Sequence, residues 1–377
     1  MTTKADSPVI IREIKTGNNQ TIGELTLNAP GALNALNLDM IRLLDTQLMT
    51  WEKQSEVCCV ILRGAGEKAF CAGGDVVSLY HAMVANPGQP VAEAQAFFSE
   101  EYQLDYRIHR YSKPIICWGS GIVMGGGLGL QAACRYSIAT ETTRLAMPEI
   151  TIGLFPDVGG TWFLNRMPEG CGLYLGLTGN SLNGSDALFT GLARFACQAD
   201  GYGELIEKLG NLTWPSVDDE RHQVLEDFLQ GYSKTGHMPP SQVKDHLGAI
   251  TEATALGDLE QIVAAIIKLG ERDDWLARGA KTLQRGCPTT AHLVYAQLHR
   301  GADLALDAVF KTELNMAMHC IVNGEFQEGV RALLIDKDRN PKWKYNTLDA
   351  IPEAYINSHF QSLWPESEHP LAQLGLG

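Results

Sequence analysis

Three acids stand where a carboxylate needs a reason. Glu101 falls on the apolar seam of a predicted helix, in line with Phe97, Leu104, Ile108 and Tyr111. Glu149 directly follows Pro148, and Asp157 lies between Pro156 and Val158-Gly159-Gly160. Carboxylates placed this way can supply acid/base or nucleophilic chemistry. Two glycine runs, Cys71-Ala72-Gly73-Gly74 and Gly125-Gly126-Gly127, each follow a predicted buried strand and open a helix. Glycines there let backbone N–H groups approach a ligand, and one N–H from each loop, aimed at a shared oxygen, makes an oxyanion hole. An anion-stabilising backbone beside acids is the chemistry this pattern could perform.

Each feature also has a plainer explanation. Glu101 could lie at the edge of its stripe with its head in water, and Glu149 could pair with Arg135 or Arg144 at the surface. Asp157 precedes a helical run, Gly160 to Met167, and is a good N-cap. Either glycine run could be a tight turn or a site of close helix packing. The second run departs from G-x-G-x-x-G, with Leu130 where the last glycine belongs, which disfavours a dinucleotide fingerprint. Ser120 lacks the G-x-S-x-G frame, and none of the ten histidines falls between residues 113 and 162, which weakens a Ser-His-Asp triad.

The elements that must position these residues are legible. Residues 8–15 and 21–28 alternate apolar and polar side chains around Asn18-Asn19-Gln20, predicting a hairpin. Asn37 caps a predicted helix to about Glu52 with Met40, Ile41, Leu44, Leu48 and Trp51 on its apolar face. Val57 to Leu62 reads as a strand buried on both faces, followed by a loop from Gly64 to Gly74. Helices are predicted over 75–83 and 91–111, a strand over 115–118, a helix over 128–134 and a strand over 136–139. Further helices are predicted over 171–178 and 185–193, the latter capped by Ser185. Beyond residue 200 strand-like runs nearly vanish, so the chain divides into an α/β part, 1–200, and a mostly helical remainder, 201–377.

A formal charge of −14 argues against a nucleic-acid surface, though not against a phosphate-bearing small ligand. The nine cysteines show no C-x-x-C pair and no zinc-type spacing with histidine, so no metal is expected. Their odd number and the lack of an export-type signal in MTTKADSPVI predict a soluble, cytoplasmic protein, and no apolar run is long enough for a bilayer.

Taken together, N-A-P-x-A-L-N-A-L at 28–36, A-F-C-A-G-G-D at 69–75, M-G-G-G at 124–127 and M-P-E at 147–149 resemble the crotonase (enoyl-CoA hydratase/isomerase) superfamily. Its 3-hydroxyisobutyryl-CoA hydrolase branch is resembled more narrowly, through F-F-S-E-E-Y at 97–102, P-E-I-T-I-G-L-F-P-D-V-G-G at 148–160, R-G-A-D at 300–303 and E-G-V-R-A-L-L-I-D-K-D-R-N-P-K-W at 328–343. The resemblance implies an α/β fold of repeated ββα turns forming a superhelix, with a helical C-terminal region. It implies an acyl-CoA thioester as substrate, no separate cofactor because CoA is part of that substrate, and room for a homo-oligomer. Its oxyanion donors match Gly74 and Gly126, and its catalytic and acyl-binding positions match Glu101, Glu149 and Asp157. Hydratases of the superfamily place a first glutamate two residues after the glycine triplet; here that position is Gly129, which favours hydrolysis of a short 3-hydroxyacyl-CoA, such as the valine-derived 3-hydroxyisobutyryl ester, over hydration. Double-bond hydration or isomerisation and non-catalytic acyl-CoA binding are the alternatives. Lys68 and Lys113 lie near the two loops in sequence, with no phosphate contact assigned to either.

Overall fold

The opening hairpin forms as the turn residues predict. In the computed structural model of the protein, which describes residues 7–376, β1 (Val9–Lys15) pairs antiparallel with β2 (Thr21–Leu27). Every residue of β2 is buried, so its polar positions are not a solvent face; Glu24 is held there by Arg12 and by the hydroxyl of Tyr202. Helix α1 (Leu38–Glu52) starts where Asn37 accepts from Met40 N–H at 2.9 Å, and it buries the five predicted apolar residues. Strand β3 (Val57–Gly64) follows, and within the predicted loop lies a further short strand, β4 (Ala69–Cys71).

Next come α2 (Val76–Ala85), α3 (Ala92–Arg110), β5 (Ile115–Gly119), β6 (Ile122–Met124), α4 (Gly126–Ala133), β7 (Tyr136–Ala139) and β8 (Arg144–Ala146). Helices α5 (Gly160–Leu164) and α6 (Cys171–Thr178), strand β9 (Leu182–Asn183), helix α7 (Gly184–Thr190) and strand β10 (Phe195–Ala196) complete the strand-bearing half. Helix α7 begins one residue earlier than predicted. Asn183, not Ser185, is its cap, exchanging hydrogen bonds with Asp186 in a capping box.

From residue 202 every helix or strand named is helical: α8 (Tyr202–Gly210), α9 (Asp218–Tyr232), α10 (Gln242–Thr254), α11 (Leu259–Leu269), α12 (Asp274–Arg285), α13 (Pro288–Gly301), α14 (Leu306–Asn323), α15 (Glu325–Val330) and α16 (Glu353–His359).

Strands β1-β2-β3-β5-β7-β10 form one sheet, parallel except for the hairpin, and β4-β6-β8-β9 form a second. The chain builds two compact units that interleave along the sequence instead of dividing near residue 200. The first comprises 1–74, 104–145 and 182–241; the second comprises 75–103, 146–181 and 242–377. In the first unit, Ile61, Ile116 and Ile138 of the large sheet pack with Leu205, Leu209 and Leu225 from the helices after residue 200.

Candidate active site

The glycine loops belong to the first unit. Strands β4 and β6 run parallel, pairing Ala69 with Ile122 and Cys71 with Val123, so the loops that leave their ends are neighbours. Gly74 is fixed by a parallel bridge to Leu36, and Leu36 N–H donates to the Gly73 carbonyl at 2.8 Å. Gly73 has φ +103, a conformation glycine adopts without a Cβ penalty. At Gly127 a Cβ would strike the Cys71 carbonyl, so the two loops touch only because that position is bare. Gly126 is the first residue of α4, where N–H groups have no intrahelical acceptor. Lys113 is committed elsewhere: its buried ammonium donates to the Trp51 and Gln54 carbonyls at 2.6 and 2.5 Å.

The acids belong to the second unit, and all three are buried, with Glu101, Glu149 and Asp157 only 2%, 5% and 4% exposed. Glu101 is therefore not an edge residue with its head in water. Its Oε1 has no hydrogen-bond partner among the described residues. The neighbouring Tyr102 stands between Phe98 and Phe310, at ring-centroid distances of 5.9 and 5.8 Å.

Glu149 opens a 3-10 turn, Glu149–Thr151, closed by Thr151 N–H and Oγ1 donating to the Pro148 carbonyl and by Ile152 N–H donating to that of Glu149. Cys287 N–H donates to the Ile150 carbonyl at 2.9 Å and anchors the turn. Glu149 makes no surface ion pair: it is buried, its Oε2 is without a partner among the described residues, and no cation acts on it.

Asp157 does not cap α5. The N-cap position is Gly159, and Asp157 Oδ2 instead accepts the Tyr102 hydroxyl at 2.7 Å. The start of α5 is held by Glu313 of α14, which accepts from Gly159 N–H at 2.7 Å and Thr161 N–H at 2.8 Å, while Gly160 N–H donates to the Asp157 carbonyl. Tyr102 and Glu313 are the residues the sequence reading missed. Glu313 carried the same signal as Glu101, an acid on a helical stripe, among Val309, Phe310 and Leu314.

Burial is the chief electrostatic force here. It pushes the Asp157 carboxyl up to about 6, while the Tyr102 hydroxyl and a backbone N–H pull the other way. Burial also raises Glu101 and Glu149 well above the carboxylate range, and the Asp157 charge raises both further. Glu313 is pushed up to about 8 by burial against the pull of the Thr161 and Gly159 donors. Carboxyls without partners are costly to bury, and perturbed groups of this kind mark functional sites more often than structural ones. Among the described residues no group of three or more His, Cys, Asp or Glu could hold a metal ion.

The first unit holds a glycine-lined loop pair and the second holds three buried acids; comparison with known proteins makes the class definite, an enzyme family that handles acyl-CoA thioesters. The chain belongs to the enoyl-CoA hydratase/isomerase family, whose pattern matches residues 22–360. It is 40% identical to the mitochondrial 3-hydroxyisobutyryl-CoA hydrolase of Danio rerio over 96% of this chain and 92% of that one. The human mitochondrial 3-hydroxyisobutyryl-CoA hydrolase is 37% identical over 90% and 86%. Solved structures with the same fold include an enoyl-CoA hydratase from Rhodobacter sphaeroides, at TM-score 0.81 and 32% identity over 95% of this chain and 98% of that one. A carnitinyl-CoA dehydratase from Mycobacterium thermoresistibile also matches at 0.81 and 32%, covering 94% and 97%.

These relatives correct one expectation. They are named as mitochondrial enzymes, which conflicts with a cytoplasmic location. The nine cysteines are buried and form no disulfide among the described residues, which marks no particular compartment. No helix among the described residues is long and apolar enough to cross a membrane.

Proposed function

We propose that the chain hydrolyses short 3-hydroxyacyl-CoA thioesters, foremost 3-hydroxyisobutyryl-CoA, to the free hydroxy acid and CoA, a reaction of valine degradation. The relatives' names support the reaction. The observation that carries it in this chain is that Gly129 stands where hydration would need a glutamate, while Glu101, Glu149 and Asp157 are buried acids, with Glu101 Oε1 and Glu149 Oε2 unpartnered among the described residues.

In this reading the Gly74 and Gly126 N–H groups stabilise the oxyanion that forms as the thioester carbonyl is attacked, each contributing on the order of 10² to 10³ in rate. Glu149 either takes a proton from the attacking water or attacks the carbonyl itself, giving an anhydride that water then opens. In both routes the C–S bond breaks and the thiolate leaves to be protonated. Asp157 holds the substrate hydroxyl or the water, and Glu101 receives the acyl hydroxyl. A site built for that hydroxyl rejects analogues lacking it by orders of magnitude.

The test is thiol release from 3-hydroxyisobutyryl-, 3-hydroxypropionyl-, crotonyl- and acetyl-CoA. Rapid release confined to the 3-hydroxy esters is expected. Loss of the crotonyl double bond without thiol release would move the protein to the hydratases, as the similar Rhodobacter sphaeroides structure is named. Tight binding of every ester with no turnover would make it a carrier. Label in Glu149 after a single turnover in ¹⁸O-water would establish the anhydride route, which alone lets water add at the Glu149 carbonyl; label in the hydroxy acid alone arises by either route.

A further inference from the structure

The segment Pro156–Thr161 is held more firmly than a one-turn helix requires. Glu313, fully buried, occupies two of its N–H groups, one on each carboxylate oxygen. From α13, the buried Gln297 donates through Nε2 to the Pro156 carbonyl at 2.7 Å and to the Thr161 hydroxyl at 3.1 Å. Between these fixed points lie Asp157 and Val158. Val158 is buried with φ 52, a left-handed conformation that a β-branched residue holds only when its surroundings impose it.

The local sequence offers another arrangement. Asp157 is placed to cap α5, and an Asp at such a position ordinarily spends its carboxylate on the N–H groups two and three residues on. Of those donors, Gly159 N–H is taken by Glu313 and Gly160 N–H by the Asp157 backbone carbonyl at 2.7 Å, so that carboxylate is left to meet Tyr102. Removing Glu313 would restore the competition, because partnerless N–H groups would draw the nearest acceptor.

We infer that Glu313, assisted by Gln297, is a positioning residue that takes over the capping of α5 and so keeps the Asp157 carboxylate free for the reaction. The inference rests on the role given to Asp157 under the proposed function. Neither side chain touches substrate in this account; both act through Asp157.

A double-mutant cycle in the full-length protein tests it, with kcat for 3-hydroxyisobutyryl-CoA as the readout. Glu313→Ala should lower kcat by about 10- to 100-fold, the cost of a misplaced reacting group. In an Asp157→Asn background the same change should lower the residual kcat by less than about 3-fold, because residues that act as one unit are not additive. A merely structural role would give equal losses in both backgrounds, and that result overturns the inference. So does full activity of Glu313→Ala beside an impaired Asp157→Asn, which leaves the proposed function standing. Full activity of Asp157→Asn removes the role of Asp157 and the inference with it. Should Glu313→Ala not fold, Gln297→Met enters the same cycle with the same expectations.

Discussion

The Tyr102 hydroxyl lies 2.7 Å from Asp157 Oδ2 and is the one side-chain donor among the described residues that acts on that carboxylate. Its proton favours the ionised form. In Tyr102→Phe the Asp157 carboxyl should therefore titrate higher still, and the acid limb of kcat/KM against pH should move up. A buried acceptor left without its donor costs about 1–3 kcal/mol, so kcat/KM near neutral pH should fall about 10-fold. An unmoved acid limb would show that Asp157 does not titrate in the active form.

Glu149→Gln should lose about 10² to 10⁴ in turnover, the usual contribution of a positioned base or nucleophile. Its melting temperature at pH 7.5 should be no lower than that of the parent, because the variant no longer buries an acid whose Oε2 has no partner. Turnover within a few-fold of the parent would remove Glu149 from the mechanism.

Stability should depend on pH through Asp157. Its folded-state value of about 6 lies above the ordinary 3.8, so the folded protein binds the proton more tightly than the unfolded chain does. The associated stability is complete below pH ~4 and is lost as pH rises to ~6, on the order of 3 kcal/mol in all. Asp157→Asn carries no such titration. Urea unfolding of the pair should show the parent losing stability relative to the variant across this window, with a constant difference above it. A difference constant from pH 4 to 7 would contradict the burial account.

Gly127→Ala should cost about 1–3 kcal/mol and disturb both glycine loops, since its methyl meets the Cys71 carbonyl, which cannot rotate away. Gly248→Ala, in α10 with open space around it, should instead stabilise by roughly 0.5–1 kcal/mol. Thermal melts of the two variants read these opposite signs directly.

What could be read in the sequence was what neighbours in the chain decide. Asn37 and the apolar face of α1 are set within one helix, and so were found. Glu101 was visible because an acid interrupts a seam of regular period. Local reasoning went wrong where a distant residue competes for the same atoms. The capping role expected of Asp157 belongs to Glu313, 152 residues away from Thr161, and the cap of α7 passed to Asn183 because its box with Asp186 satisfies two groups where Ser185 offers one. Strand β4 was missed for a related reason: three residues carry too little pattern, and its pairing with β6 lies about 50 residues downstream. The polar residues of β2 misled for the opposite reason, since Glu24 can be buried only because Arg12 and Tyr202 meet it there.

The interleaving of the two units bears on how the chain can be made. A ribosome releasing residues in order delivers the first five strands of the large sheet, through β7, well before α8 and α9, which supply Leu205, Leu209, Leu225 and Leu229 to the core beneath it. Until Ser241 has emerged, the first unit must wait with part of its apolar face uncovered. The second unit waits longer, since the turn carrying Glu149 and the loop carrying Asp157 precede by more than a hundred residues the helices that anchor them. A nascent chain halted near residue 200 would therefore be a client for chaperones, not a finished half of the enzyme.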